Sequence, residues 1–302
     1  MRHRHLVMLI GLALIWGASF MFIKVADRQL APSTLIMGRL GLAALTLAIV
    51  VPASIGVRET IAELRANAGW LLVVALVNTA VPFWLLSWGE TRIDSGLASI
   101  IQAAVPIFNA LLAFGFFRES RVTGLRLAGI GIGFVGVALL VGAQPSGKVL
   151  GALAVVGMAF GYAIGGLLIS RHLQPVRPMV IALASTSVAA VVALPAGIAQ
   201  APHTTPGWKE IGSVVALGVP GTALAYLLFF GLITGAGASY ASLVTYLIPP
   251  IALAYGAIFL GERFGFAAFG GLALVLAGVA LGTGGLRIAS RRVRRAPARQ
   301  PL

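Results

Sequence analysis

Residues 98–119 read ASIIQAAVPIFNALLAFGFFRE, and residues 241–262 read ASLVTYLIPPIALAYGAIFLGE. Ala98-Ser99, Pro106, Phe116 and Glu119 of the first stretch return as Ala241-Ser242, Pro249, Phe259 and Glu262 of the second, at one offset of 143 residues. Just downstream the offset falls to 142. There Gly129, Gly136-Val137-Ala138-Leu139 and Gly142 are answered by Gly271, Gly278-Val279-Ala280-Leu281 and Gly284. The chain therefore carries one unit twice, and repetition of a long apolar unit is the usual build of membrane carriers.

The solvent of this unit follows from composition. A mean hydropathy of +0.99 with 10% charged residues excludes an ordinary water-soluble domain, in which about a quarter of residues are charged. There is no cysteine, so a disulfide framework and a thiolate metal site are both excluded. His3, His5, His172 and His203 lie outside the apolar runs or at their edges, which argues against a buried metal centre, and no cofactor is expected. The net charge of +14 does not mark a nucleic-acid binder, because six arginines from Arg287 to Arg299 crowd the last sixteen residues, directly after an apolar run. A basic cluster beside a membrane span reads as a cytoplasmic anchor near anionic lipid.

About 20 apolar residues cross a bilayer as a helix, and ten windows meet that length: 6–26, 33–53, 69–88, 95–117, 123–143, 149–170, 178–200, 211–231, 237–260 and 266–287. Helix is required because backbone groups in lipid must be satisfied within their own segment. The first window continues into a multi-span chain, so it is expected to remain as a helix rather than be cleaved as a signal. The longest connection is the polar 54–68 stretch, with Arg58, Glu59, Glu63 and Arg65. Placing the N-terminus in the cytoplasm puts fifteen Lys and Arg inside and five outside, which orients both termini inward. Ten spans in two similar units means five per unit. An odd number forces the second to enter the membrane from the opposite face, so the fold class is all-α, an inverted 5+5 repeat. The boundaries expected are 1–145 for the first unit, 146–287 for the second and 288–302 for the basic tail.

These residues resemble the drug/metabolite transporter superfamily, EamA type. The resemblance covers residues 6 to 287. It rests on Trp16-Gly17, Phe20 and Lys24 in the first span, Arg39 in the second, and the Ala-Ser…Pro…Glu pattern that closes the fourth and ninth, each followed by a glycine-rich span. It implies alternating-access transport, usually export, of small polar or amphipathic metabolites across the inner membrane, with a small-molecule substrate and membrane lipid as the partners. It leaves substrate identity open. A non-transporting scaffold or sensor, or a lipid-moving variant of the same fold, is the alternative. An intramembrane enzyme would need a nucleophile with a base at its level, and no His or acid lies at the depth of Ser19 or Ser185.

Ionisable groups at membrane depth are functional candidates by default. Arg39 lies six residues into the second span, about 9 Å deep at 1.5 Å per residue. It either faces a cavity, where it would attract a carboxylate or phosphate, or pairs with Glu90 or Asp94. Lys24 either does the same or snorkels outward. Glu90 is expected to be a solvated loop-end group, and Glu119 and Glu262 to form ion pairs at the cap of the next helix. No acid sits mid-span, so strong proton coupling is not expected. Asn78, Gln102, Asn109, Thr222 and Thr245 are buried-depth polar groups that need partners or a wet cavity. Trp16, Trp84, Tyr162, Tyr226 and Tyr246 are aromatic wall candidates, and Trp88 a belt residue. The substrate-binding set expected is thus Trp16, Arg39, Asn78, Trp84, Gln102, Tyr162, Tyr226 and Tyr246. Pro82, Pro106, Pro220 and Pro249 interrupt spans and are the hinge candidates. Gly129-Gly133 and Gly278-Gly282 suit close helix packing or a homodimer face.

Overall fold

The computed structural model describes residues 2–116, 124–144 and 148–282. Every regular element among them is a helix. In chain order these are α1 (Arg2–Ala26), α2 (Pro32–Ile55), α3 (Val57–Ala66), α4 (Ala68–Glu90), α5 (Ser95–Gln102), α6 (Val105–Phe116) and α7 (Leu125–Gly142). There follow α8 (Val149–His172), α9 (Pro178–Ala199), α10 (Trp208–Ala236), α11 (Ala238–Ala241), α12 (Val244–Leu260) and α13 (Phe266–Gly282). Seven helices are long and apolar enough to cross a membrane, and three shorter apolar ones run Leu127–Gly142, Val244–Leu260 and Phe266–Gly282. The outward faces of these helices carry large apolar residues such as Ile49, Leu150 and Ile258, as expected where lipid rather than water is the outer solvent. The chain is a multi-pass membrane protein.

The prolines Pro32 and Pro178 begin α2 and α9, where a missing N–H leaves no extra unsatisfied carbonyl. One connection differs from the expectation. The polar 54–68 stretch is not a loop but carries α3, whose polar and apolar residues segregate to opposite faces because i and i+4 share a side. Its Glu63 carboxylate pairs with Arg177 at 3.2 Å. The residues Glu119 and Arg118, together with the basic tail, lie outside the described residues.

Packing joins the early helices to the late ones. α2 lies along α9, α7 along α13, α1 against α12, and α8 against α6. The glycine ladders account for the second of these pairs. A Cβ on Gly278 would overlap the backbone of Gly133, and one on Gly129 the backbone of Gly282. Within one chain the two ladders therefore face each other and let the backbones touch.

Two helices change register part-way. α4 contains a π turn at Leu76–Ala80 and α10 one at Val219–Leu224. Pro82 follows the first and Pro220 lies within the second, and neither proline can bond to the carbonyl four residues back. The wider register allows that carbonyl to be reached from five residues on. The π turns begin 143 residues apart, the same offset as the repeated motif. A third break separates α5 from α6 at Ala103-Ala104, just before Pro106, and a fourth separates α11 from α12 at Ser242-Leu243, before Pro249.

Candidate functional site

These irregularities converge on a cavity of about 370 Å³ inside the bundle. From α1 it receives Trp16, Ser19, Phe20 and Ile23, spaced three, four and seven residues apart and therefore on one helix face. From α4 come Asn78, Phe83 and Leu86; from α10, Gly221, Thr222, Tyr226 and Phe229. The broken α5–α6 segment supplies Ser99, Gln102, Ala103 and Val105, and α12 supplies Thr245 and Ile248. Tyr162 on α8 and Arg39 on α2 complete the wall. The π turns explain Asn78, Gly221 and Thr222, since each bulge pushes its residues inward. Asn78, Gln102 and Thr245 share a further property: each lies four residues before a proline, so its carbonyl has lost its α-helical donor.

Arg39 is the charged member of this lining and is only 5% exposed. Its Nε donates to Thr222 Oγ1 at 3.0 Å, and Thr222 in turn donates to the Leu217 carbonyl at 2.8 Å. That second bond fixes the hydroxyl as an acceptor toward the guanidinium. The guanidinium carbon lies 4.4 Å from the centroid of the Phe83 ring, a cation–π contact that compensates part of its burial. Among the described residues no carboxylate forms an ion pair with it. The expected pairing with Glu90 or Asp94 is therefore not formed. Among the described residues, the terminal amino groups of this rigid fork, suited to a planar carboxylate or phosphate, carry no protein hydrogen bond.

Six of the eight expected wall residues, Trp16, Arg39, Asn78, Gln102, Tyr162 and Tyr226, meet in this cavity. Trp84 does not. It is 41% exposed, stacks on Trp88 with centroids 6.1 Å apart and donates from Nε1 to Ser33 Oγ. Tyr246 packs against the core instead, because its neighbour Thr245 takes the cavity face. Sequence reading passed over Phe20, Ile23, Phe83, Ser99 and Phe229. A helical-face count outward from Trp16 would have found the first two. Of the hinge candidates, Pro82 follows one π turn and Pro220 lies within the other, and Pro106 and Pro249 follow the helix breaks.

Three further expectations are corrected at the end of the bundle where α1 finishes. Lys24 does not snorkel: its Nζ donates to the carbonyls of Glu90 and Ile93, the latter at 2.7 Å. Glu90 is not solvated but 0% exposed. Glu262 does not pair with Arg263 at the cap of the following helix. Gly261 closes α12 in the left-handed region at φ 68°, a conformation glycine adopts without penalty. The chain reverses there, and the Glu262 carboxylate reaches the start of α5. It accepts from Ser95 N at 2.8 Å, Ser95 Oγ at 2.9 Å and Gly96 N at 3.2 Å, satisfying donors that a helix N-terminus leaves open. Gly256 must lack a Cβ for this, since one would overlap Glu262 Oε2.

An all-helical, membrane-embedded bundle around a mixed aromatic and polar chamber defines a membrane transport protein. The EamA-like transporter family profile matches the chain twice, over residues 3–142 and 149–283. This chain belongs to the EamA-like transporter family. A probable terminal-alkyne amino-acid exporter of Streptantibioticus cattleyicolor is 29% identical over 92% of this chain and 90% of its own length. A probable amino-acid metabolite efflux pump of Salmonella typhimurium is 28% identical over 91% of this chain and 93% of its own. An uncharacterized transporter of Archaeoglobus fulgidus is 29% identical over 87% and 93% respectively. A protein crystal structure superposes with a TM-score of 0.65 at 18% identity, covering 97% of this chain and 99% of that one, which speaks to the fold alone.

Proposed function

We propose that this transporter exports small amphipathic metabolites bearing a carboxylate, amino-acid-like compounds foremost, across the inner membrane by alternating access. The observation that carries the substrate class is Arg39: a guanidinium buried at the wall of an apolar chamber, held by Thr222 and Phe83 and without a carboxylate partner among the described residues. A buried cation without a partner is costly, so an anionic ligand would gain from completing it. Aromatic faces from Trp16, Phe20, Phe83, Tyr162, Tyr226 and Phe229 suit an apolar body. A chamber of about 370 Å³ sits at the small end of ligand pockets. The relatives named as amino-acid exporters and efflux pumps support the same class.

The inverted 5+5 arrangement, with units 1–145 and 146–287, is supported by the matched π turns and by the pairing of α2 with α9 and α7 with α13. Rocking would occur about the four proline-marked breaks at Pro82, Pro106, Pro220 and Pro249. Trp84 and Tyr246 fall outside the chamber and are left out of the substrate-binding set. Both termini face the cytoplasm in this reading, on the charge asymmetry. A homodimer would use a face other than the glycine ladders, which are covered.

The test is counterflow of radiolabelled L-phenylalanine in proteoliposomes. Arg39→Ala is expected to lower it at least roughly tenfold, since a charge-assisted hydrogen bond contributes about 1.5–3 kcal/mol. Arg39→Lys should restore only part, because an ammonium lacks the planar fork. Counterflow unchanged in Arg39→Ala would sink the substrate reading.

A further inference from the structure

One helical turn from the chamber lies a second polar site that this function does not use. Ile23 and Leu86 line the chamber. Four residues further along the same faces of α1 and α4 stand Asp27 and Glu90, about 6 Å away along the axes. Glu90 is wholly buried, and among the described residues neither carboxylate oxygen has a hydrogen-bond partner. The nearest cation on α1, Lys24, gives its ammonium donors to the main-chain carbonyls of Glu90 and Ile93. Asp27 is held by the Ser87 hydroxyl, 3.1 Å from Oδ1. Lys24 also lines an open depression of about 450 Å³, with Arg28, Asp94, Glu262 and Arg263. Lys24 thus links this depression to Glu90, whose carbonyl it holds, one helical turn from the chamber wall.

A buried carboxylate that accepts no hydrogen bond is untenable as an anion, whereas a proton makes it a neutral acid. The charged groups acting on Glu90 are Asp27 just past the end of α1, Lys24 from α1, Glu262 from the end of α12 and Arg39 from α2. The last of these joins the two sites, because it is also the cation of the chamber. An anion on Arg39 cancels the positive field that favours loss of the Glu90 proton. By linkage, the proton then favours the anion by the same factor.

We propose that Glu90, with Asp27 beside it, is a proton-binding site coupled to the chamber, so that a carboxylate on Arg39 and a proton on Glu90 bind together. The step is a single protonation: one proton leaves bulk water, one O–H bond forms on the carboxylate, and no redox change occurs. Burial pushes the Asp27 carboxyl up to about 7, opposed by the Ser87 hydroxyl and by Lys24, so a second proton-binding acid stands beside Glu90. The coupling rests on the reading of the chamber as a carboxylate site; the protonation of Glu90 does not.

The experiment therefore has two arms on purified protein. Infrared titration should show a protonated-carboxyl band in the wild type that is absent from Glu90→Gln, an isosteric change checked for monodispersity and helicity. The titration of that band should move in Asp27→Asn and in Arg39→Ala. In weak buffer, adding 3-phenylpropionate should make the wild type take up protons, and Glu90→Gln should take up roughly a tenth as many or fewer. A band that persists in Glu90→Gln overturns the site, and anion binding without proton uptake in the wild type overturns the coupling. If 3-phenylpropionate does not bind while the band is lost in Glu90→Gln and moves in Arg39→Ala, the proton site stands and the substrate reading fails.

Discussion

The π turn at Val219–Leu224 and its counterpart at Leu76–Ala80 have the same backbone but opposite chemistry. Thr222 and Thr79 are each the fourth residue of their turns. Counted from the prolines that open α2 and α9, Arg39 and Ser185 are each the eighth residue. α2 packs on the later turn and α9 on the earlier one. On one side Thr222 accepts from Arg39. On the other, Thr79 Oγ1 and Ser185 Oγ are both buried without partners among the described residues. The asymmetry continues outward. Asp27 and Leu173 follow Trp16 and Tyr162 by eleven residues, and Glu90 and Ile233 follow Thr79 and Thr222 by eleven. The charged members of the set, Arg39, Asp27 and Glu90, all fall in the earlier of the two matched stretches. Both copies have kept the bulge, while at these matched positions only the earlier copy carries charge, so the charge lies on one side of the chamber.

Four changes would break or sharpen that contrast. The largest effect expected is at Asp27. A carboxyl raised from 3.8 to about 7 in the folded state binds protons more tightly folded than unfolded. Stability therefore falls as pH rises from about 4 to about 7, by up to roughly 4 kcal/mol. Thermal melting in detergent should show the wild type weaker at pH 8 than at pH 5, and Asp27→Asn with a shallower slope, the remainder belonging to Glu90; a parallel slope in both would remove Asp27 from the account.

Next, Thr222→Val leaves the guanidinium Nε without its acceptor and should cost about 1–3 kcal/mol, read as a lower melting temperature. The expected cost of Glu262→Ala is about 1 kcal/mol, since it removes the cap of α5; an unchanged melt would mean that the cap is taken over by water. The smallest effect is the most discriminating. Thr79→Val removes a hydroxyl that has no partner, with little change in shape, and should be neutral or stabilising by up to about 1 kcal/mol. If it cost as much as Thr222→Val, the two turns would be equivalent and the contrast would be false.

Much of the chamber was legible beforehand for a simple reason. Arg39, Asn78, Gln102, Thr222 and Thr245 interrupt apolar runs, and a polar group at membrane depth must turn inward whatever its neighbours are. Trp84 and Tyr246 misled because an aromatic ring is stable in lipid, in a core or on a cavity wall, so its type does not choose among them. Lys24, Glu90 and Glu262 were misjudged as end-of-span groups because their surroundings come from segments up to about 170 residues away.

Composition, the apolar windows and the offset of 143 residues determined by themselves that this chain is helical, membrane-embedded and duplicated. Those properties are local or periodic, and hydrocarbon imposes them segment by segment. Only the tertiary structure decided which polar groups meet. Glu90 lies buried, Lys24 points back to carbonyls and Glu262 crosses to α5 because helix rotation and a left-handed Gly261 aim them there. Such directions depend on how distant helices pack, and no single segment encodes them.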